Sequence, residues 1–258
     1  MNSCSNHAAG RGPAGAARRG WRWVGHAIER LAAAIMFAAA SAATAADRAV
    51  VAVDVGHTLA ASGARSARGR TEFEFNRELA LQVLAALDRL GVNTRAVNLD
   101  GRIGSLAERP AQVPEADFFL SIHHDSVGES ELEFWDWNGR TESYNDRWAG
   151  HSLFVSRRNP DPERSALCAS AIGARLQRAG FEPTHKNGRR SDYVDRRHAV
   201  HYYDDLVVLY RAQQPAVLFE AGVIKHRDEE QLLRDPQRQA RMSGEIATGI
   251  AACMMAGR

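Results

Sequence analysis

No stretch of this 258-residue chain is apolar for long enough to cross a membrane comfortably: the longest such run, Leu31 to Ala40, is about half of what a spanning helix needs. No charge sign dominates either. Lys plus Arg is 33 against 31 Asp plus Glu, a net of +2, too balanced to argue for nucleic acid by charge alone. Lysine is scarce. Only Lys186 and Lys225 occur, and the other basic residues are arginine, from which no function is read. Three cysteines leave room for one disulfide at most. No repeats occur, and no Pro/Gly/Ser-rich linker divides the chain. A hydrophobic share of 45% excludes wholesale disorder and a collagen-like repeat, and points to an ordinary globular core.

What charge there is sits unevenly. Arg11, Arg18, Arg19, Arg22 and Arg30 face one acid, Glu29, in the first 46 residues. A basic stretch, the apolar run 31–40 and the small residues Ala43-Thr44-Ala45 follow the order of a secretory signal, with cleavage before Ala46. The expectation is a signal peptide at 1–45, a domain at 46–258, and a periplasmic or secreted product with no stable membrane anchor after cleavage. Nucleic acid is not an expected partner, because removing the basic leader leaves a negative remainder. Export implies an oxidising compartment. Cys4 leaves with the signal, and two separate buried thiols at Cys168 and Cys253 are preferred over a pair.

Strands alternate with helices along the rest. Ala49–Val55 is a continuous apolar run, as in a buried strand. Phe75, Leu79, Val83, Leu87 and Leu90 recur at helical spacing from Glu72 and stop at Gly91. Further strands are expected at 92–97, 117–123, 131–135, 206–210 and 216–220. Further helices are expected at 163–179, 228–233 and 237–256, with long loops at 136–162 and 182–203. This pattern predicts one α/β domain, a mixed sheet of roughly six strands with helices on both faces.

Sites in such sheets lie beyond the carboxyl ends of the strands. Three strands end in chemically loaded residues: Gly56-His57, Ser121-Ile-His-His-Asp125 and Phe219-Glu-Ala-Gly222. His57, Glu72 and His123 make the two-His, one-carboxylate set of a catalytic zinc with an open fourth position. Glu220 is the candidate to move a proton beside it. Alternation along a strand puts His123 with Ser121 and His124 with Ile122, so one of the two histidines faces the metal. Glu72 lies three before Phe75 and seven before Leu79, on the inward stripe, and Glu74 points elsewhere.

These residues resemble the zinc-dependent N-acetylmuramoyl-L-alanine amidases that separate bacterial daughter cells. The resemblance rests on Val53-Asp-Val-Gly-His57, Gly69-Arg-Thr-Glu-Phe-Glu-Phe-Asn76, Ser121-Ile-His-His-Asp125 and Pro215-Ala-Val-Leu-Phe-Glu-Ala-Gly222, in that order. It implies His57, Glu72 and His123 as zinc ligands and Glu220 as catalytic acid/base. It implies a peptidoglycan substrate, cut between the lactyl group of N-acetylmuramic acid and L-Ala, and admits a protein activator. Thr58, His124 and Val223 depart from the family's usual residues. A zinc peptidase of the stem peptide and a non-catalytic wall-binding module are the competing readings. Secondary candidates are Arg211 as a grip for a stem-peptide carboxylate, and Trp135, Trp137, Tyr144 and Trp148 as a glycan groove. His198, His201, Asp204 and Asp205 are a candidate second metal cluster. The arginines from Arg189 to Arg197 are a candidate contact for anionic wall polymer.

Overall fold

The computed structural model describes residues 49–189 and 191–256. The signal-peptide reading of 1–45 and Arg190 lie outside the described residues. Val50–Val55 (β1) carries β-branched residues on both faces and is almost wholly buried, as befits a central parallel strand. It pairs in parallel with Asn93–Val97 (β2) on one side and Phe118–Asp125 (β3) on the other. Ala216–Val223 (β9) lies parallel to β3. Ser152–Val155 (β6) runs antiparallel to β9 and parallel to Val200–Tyr202 (β8), with Tyr193–Asp195 (β7) at the edge. The sheet thus has seven strands in the order β2-β1-β3-β9-β6-β8-β7, one more than the sequence suggests.

Glu72–Arg89 (α1), Pro162–Arg178 (α3) and Pro236–Met255 (α6) supply the larger core, against Val51, Val53, Phe118, Leu120 and Val217 of the sheet. α3 and α6 start alike. Asp161 and Asp235 accept a backbone N–H three residues on, and proline occupies the next position, where no amide hydrogen is missed. The Cβ that Gly249 lacks would sit 2.7 Å from the Ile172 Cα, so this glycine lets the two helices approach. They are also joined covalently: Cys168 and Cys253 form a disulfide with Cα atoms 5.1 Å apart. The preference for separate thiols is therefore corrected. The opposite face carries the smaller core with Glu108–Ala111 (α2) and Val207–Arg211 (α4).

Other expectations need correction. Residues 206–210 are not a strand. Their run of apolar residues winds as α4, because Val208 and Leu209 are buried while buried Asn159 donates to the carbonyls of Leu209, Ala212 and Gln214. The 136–162 stretch is no continuous loop. Glu133–Trp137 (β4) and Arg140–Tyr144 (β5) form a hairpin, and Asn138 and Gly139, both at positive φ, make its two-residue turn. β6 follows in the same stretch. The 182–203 stretch holds a 3₁₀ turn at Lys186–Arg189 and the strands β7 and β8. Arg227–Leu233 (α5) is where a helix is expected.

Candidate metal centre

Three strands deliver side chains to one edge of the sheet. His57 comes directly after β1, with φ +68°, a left-handed conformation unusual for a residue with a Cβ. The backbone is held there from beneath. The His57 carbonyl accepts from Asn98 Nδ2 at 2.6 Å and from Arg109 Nη2 at 2.7 Å, and the same two side chains donate to the Val55 carbonyl. Arg109 is itself buried against Asp54, 3.6 Å away, whose carboxylate also accepts from Ser121 Oγ.

Glu72 opens α1 and is buried, whereas Glu74 is exposed and shares a capping box with Thr71. This is the division that helical spacing predicts. Glu72 Oε1 lies 3.0 Å from His57 Nε2 and 3.1 Å from His123 Nδ1. The three ligand atoms all lie within 4.8 Å of one another, and among the described residues this is the group able to hold a metal ion. Two glycines make room. A Cβ on Gly63 (φ +75°) would sit 2.5 Å from Glu72 Oε2, and one on Gly56 would enter the His123 ring. Two imidazole nitrogens and one carboxylate oxygen at this spacing fit a divalent ion of zinc's type, with room for a further ligand.

His124 is not a rival ligand. Its ring turns to the other face, under α1, 5.4 Å from the Phe75 ring, and is 2% exposed. Burial pushes its pKa down to about 3, so it is neutral. A neutral ring donates from Nδ1 to Asn76 Oδ1 at 2.8 Å. That fixes the amide so that Asn76 Nδ2 donates to Gly56 O at 3.2 Å and to Glu72 Oε1 at 3.4 Å. Residue 124 therefore orients the Glu72 carboxylate through Asn76.

Glu220 stands directly across from His123 in the β3–β9 register. Its Oε2 is shut away from solvent without a hydrogen-bond partner among the described residues. Burial, then the nearby charges of Asp125 and Glu72, push its pKa well above the usual carboxylate range. It forms one wall of a cleft of about 310 Å³. Burial also works against ionised Glu72, but hydrogen bonds from His123 and His57 outweigh it and hold that carboxyl well below the usual range.

The secondary candidates fare differently. Arg211 is exposed and packs towards the Tyr210 ring, away from the cleft wall. His198 pairs with Asp195, His201 is buried against Phe154 and Tyr193, and Asp204 and Asp205 bind Arg157 and Arg158, so among the described residues these four form no second metal cluster. The hairpin aromatics are stacked with cations. Arg68 lies over Trp135 and Trp137, and Arg227 over Trp135 and Tyr144, so guanidinium groups cover these rings. Trp148 is likewise stacked on Arg147. Arg196 lies over Tyr193. Thr58 closes a tight turn onto Ala61, and Val223 is buried with its N–H given to Glu229.

Asn98 and Arg109 are not singled out by the sequence, and Asn76 enters there only as the end of a motif. Asn98 stands in the bend after β2 and Arg109 in the four-residue α2, neither marked by a periodic signal, and only the fold brings them under His57.

The family model described as N-acetylmuramoyl-L-alanine amidase matches residues 51–252. No curated protein matches. Solved structures share the fold. The N-acetylmuramyl-L-alanine amidase Ami1 from Mycobacterium smegmatis is 22% identical with a TM-score of 0.64, over 81% of this chain and 97% of that one. The N-acetylmuramoyl-L-alanine amidase of Clostridium difficile 630 is 17% identical with a TM-score of 0.65, over 83% and 100%. The CwlD amidase from Clostridioides difficile, solved in complex with the GerS lipoprotein, is 18% identical with a TM-score of 0.61, over 81% and 100%.

Proposed function

From a chain that belongs to the N-acetylmuramoyl-L-alanine amidase family, we propose an exported zinc hydrolase in which His57, Glu72 and His123 hold the metal and Glu220 moves the proton. The family's substrate is peptidoglycan, and the bond is the amide between N-acetylmuramic acid and L-Ala. The observation that supports this mechanism is the convergence of the three donors beside an unpartnered buried carboxylate. When bound, zinc supplies Lewis acidity, polarising a carbonyl and acidifying a water.

The chain's own residues account for the rest. The Asn98–Arg109 clamp holds the His57 backbone in its left-handed turn, and Asn76 aims the Glu72 carboxylate. Glu220 Oε2, without a partner, takes a proton from the attacking water and returns it to the departing amine. A carboxyl with a raised pKa suits that exchange near neutral pH. Export rests on the leader's pattern. The complex of CwlD with GerS supports a protein partner for this chain as well.

The test is to incubate the zinc-loaded chain with purified sacculi and identify products by mass spectrometry. Free peptides beginning with L-Ala, beside peptide-free glycan, are expected. Cuts within the peptide would move the assignment to a peptidase, and zinc bound without cleavage would sink the proposed mechanism.

A further inference from the structure

Lys186 is one of two lysines in the chain, and among the described residues it is the one cation in the wall of the Glu220 cleft. It opens the 3₁₀ turn at 186–189, and its side chain is 11% exposed. Nζ donates to Asp125 Oδ1 at 3.0 Å and to the Ser126 carbonyl at 2.6 Å. An ammonium has three N–H groups, and among the described residues no acceptor takes the third. Asp125 does not depend on this lysine alone. It also accepts from the Ser126 N–H at 2.7 Å and from Asn187 Nδ2 at 2.9 Å.

The cleft's chemistry says what the cation faces. Phe154, Leu206 and Leu218 give it an apolar side, and the other charged groups in its wall are the carboxylates Asp125 and Glu220. Of the charged groups in this wall, Lys186 alone attracts an anionic substrate group, while Asp125 and Glu220 disfavour it. The group that protonates the leaving amine must also touch it, so a cavity walled by Glu220 holds the leaving side of the substrate.

We propose that Lys186 receives a carboxylate on the leaving-peptide side of the substrate and makes the enzyme select peptides that carry one. This assigns to Lys186 the role that the sequence suggests for Arg211. It rests on the amidase mechanism above.

The test compares kcat/KM of the zinc-loaded full chain on two muramoyl peptides. They are identical except that the residue after L-Ala carries a free carboxylate or its carboxamide. A charge-assisted hydrogen bond predicts a preference for the carboxylate of about tenfold or more. Lys186→Met should abolish the preference, and Lys186→Arg should restore part of it. Calorimetry on the two released peptides should show the same loss of discrimination in binding. If Lys186→Met slows both substrates equally and keeps their ratio, Lys186 only staples Asp125 and the assignment is overturned. A parent enzyme without a preference overturns it too. If the zinc-loaded parent turns over neither substrate, the amidase mechanism fails, and this assignment with it.

Discussion

Replacing Arg109 with methionine should cripple the metal centre without touching a ligand. Arg109 is 1% exposed and Asp54 is 0% exposed, with the charges 3.6 Å apart. Removing one partner of a buried pair costs about 3–5 kcal/mol, because the other charge is left uncompensated. The hydrogen-bond loss is smaller. The carbonyls of Val55 and His57 keep Asn98 Nδ2, so the Ile103 carbonyl is the one that loses this donor outright, at about 1 kcal/mol. The charge effect wins, and the sum is a large part of an ordinary domain's stability of about 5–15 kcal/mol. Urea unfolding at pH 7 should show the drop. Arg109→Met with Asp54→Asn should recover at least half of it, since the orphaned charge is gone. The pH dependence has a definite sign. Burial raises the Asp54 pKa in the folded state, and Arg109 is the foremost influence lowering it. A group with a raised folded pKa stabilises most at low pH and loses that contribution as pH rises through the folded value. Without Arg109 that value climbs further, so the variant's deficit should be smaller at pH 5 than at pH 7. A double variant no more stable than Arg109→Met, or a deficit that does not depend on pH, would refute the reasoning.

Three further outcomes follow from the geometry. Glu220→Gln should retain zinc by elemental analysis while its rate on sacculi falls by about 10²–10⁴, the usual worth of a general acid/base; retained activity would remove Glu220 from the mechanism. Gly63→Ala places a Cβ 2.5 Å from Glu72 Oε2 at φ +75°, and zinc affinity by competition with a chelator should weaken about 10–100-fold, as when a ligand's support is lost. Unchanged affinity would mean that the segment carrying Gly63 is not part of the cradle. Replacing both Cys168 and Cys253 with alanine opens an 85-residue span and should cost about 2–5 kcal/mol in urea unfolding, and an unchanged midpoint would deny the pair any role in stability.

The site was legible because its donors sit at positions that strand and helix periodicity can place. Alternation separated His123 from His124, and the 3.6-residue period separated Glu72 from Glu74. What went unread was long-range. Asn98 and Arg109 reach His57 across 41 and 52 residues, and nothing local marks either as a clamp. The hairpin was a different case. Asn138-Gly139 is a strong two-residue turn signal, but the aromatic and charged residues around it hid the alternation of its strands. Leu206–Tyr210 misled in the opposite way. Its residues favour a strand, and carbonyl capping by Asn159, from 50 residues away, made it a helical turn.

On the proposed mechanism, the two glutamates do different work with the same functional group. Glu72 is buried and Glu220 Oε2 is shut away from solvent, so desolvation pushes both carboxyls towards the neutral acid. Glu72 escapes because two imidazoles, the Asn76 amide and the Ala64 N–H all converge on its oxygens. It stays a carboxylate, which is the form a metal requires. Glu220 has no such partners on Oε2, and its neighbours Asp125 and Glu72 are acids, with Lys186 as a partial counterweight. Its proton is therefore held more tightly than an ordinary carboxyl's. Pairs of carboxyls driven apart in this way mark the acid/base assignment in a site. Exchanging the two residues' surroundings, more than their chemistry, is what would exchange their roles.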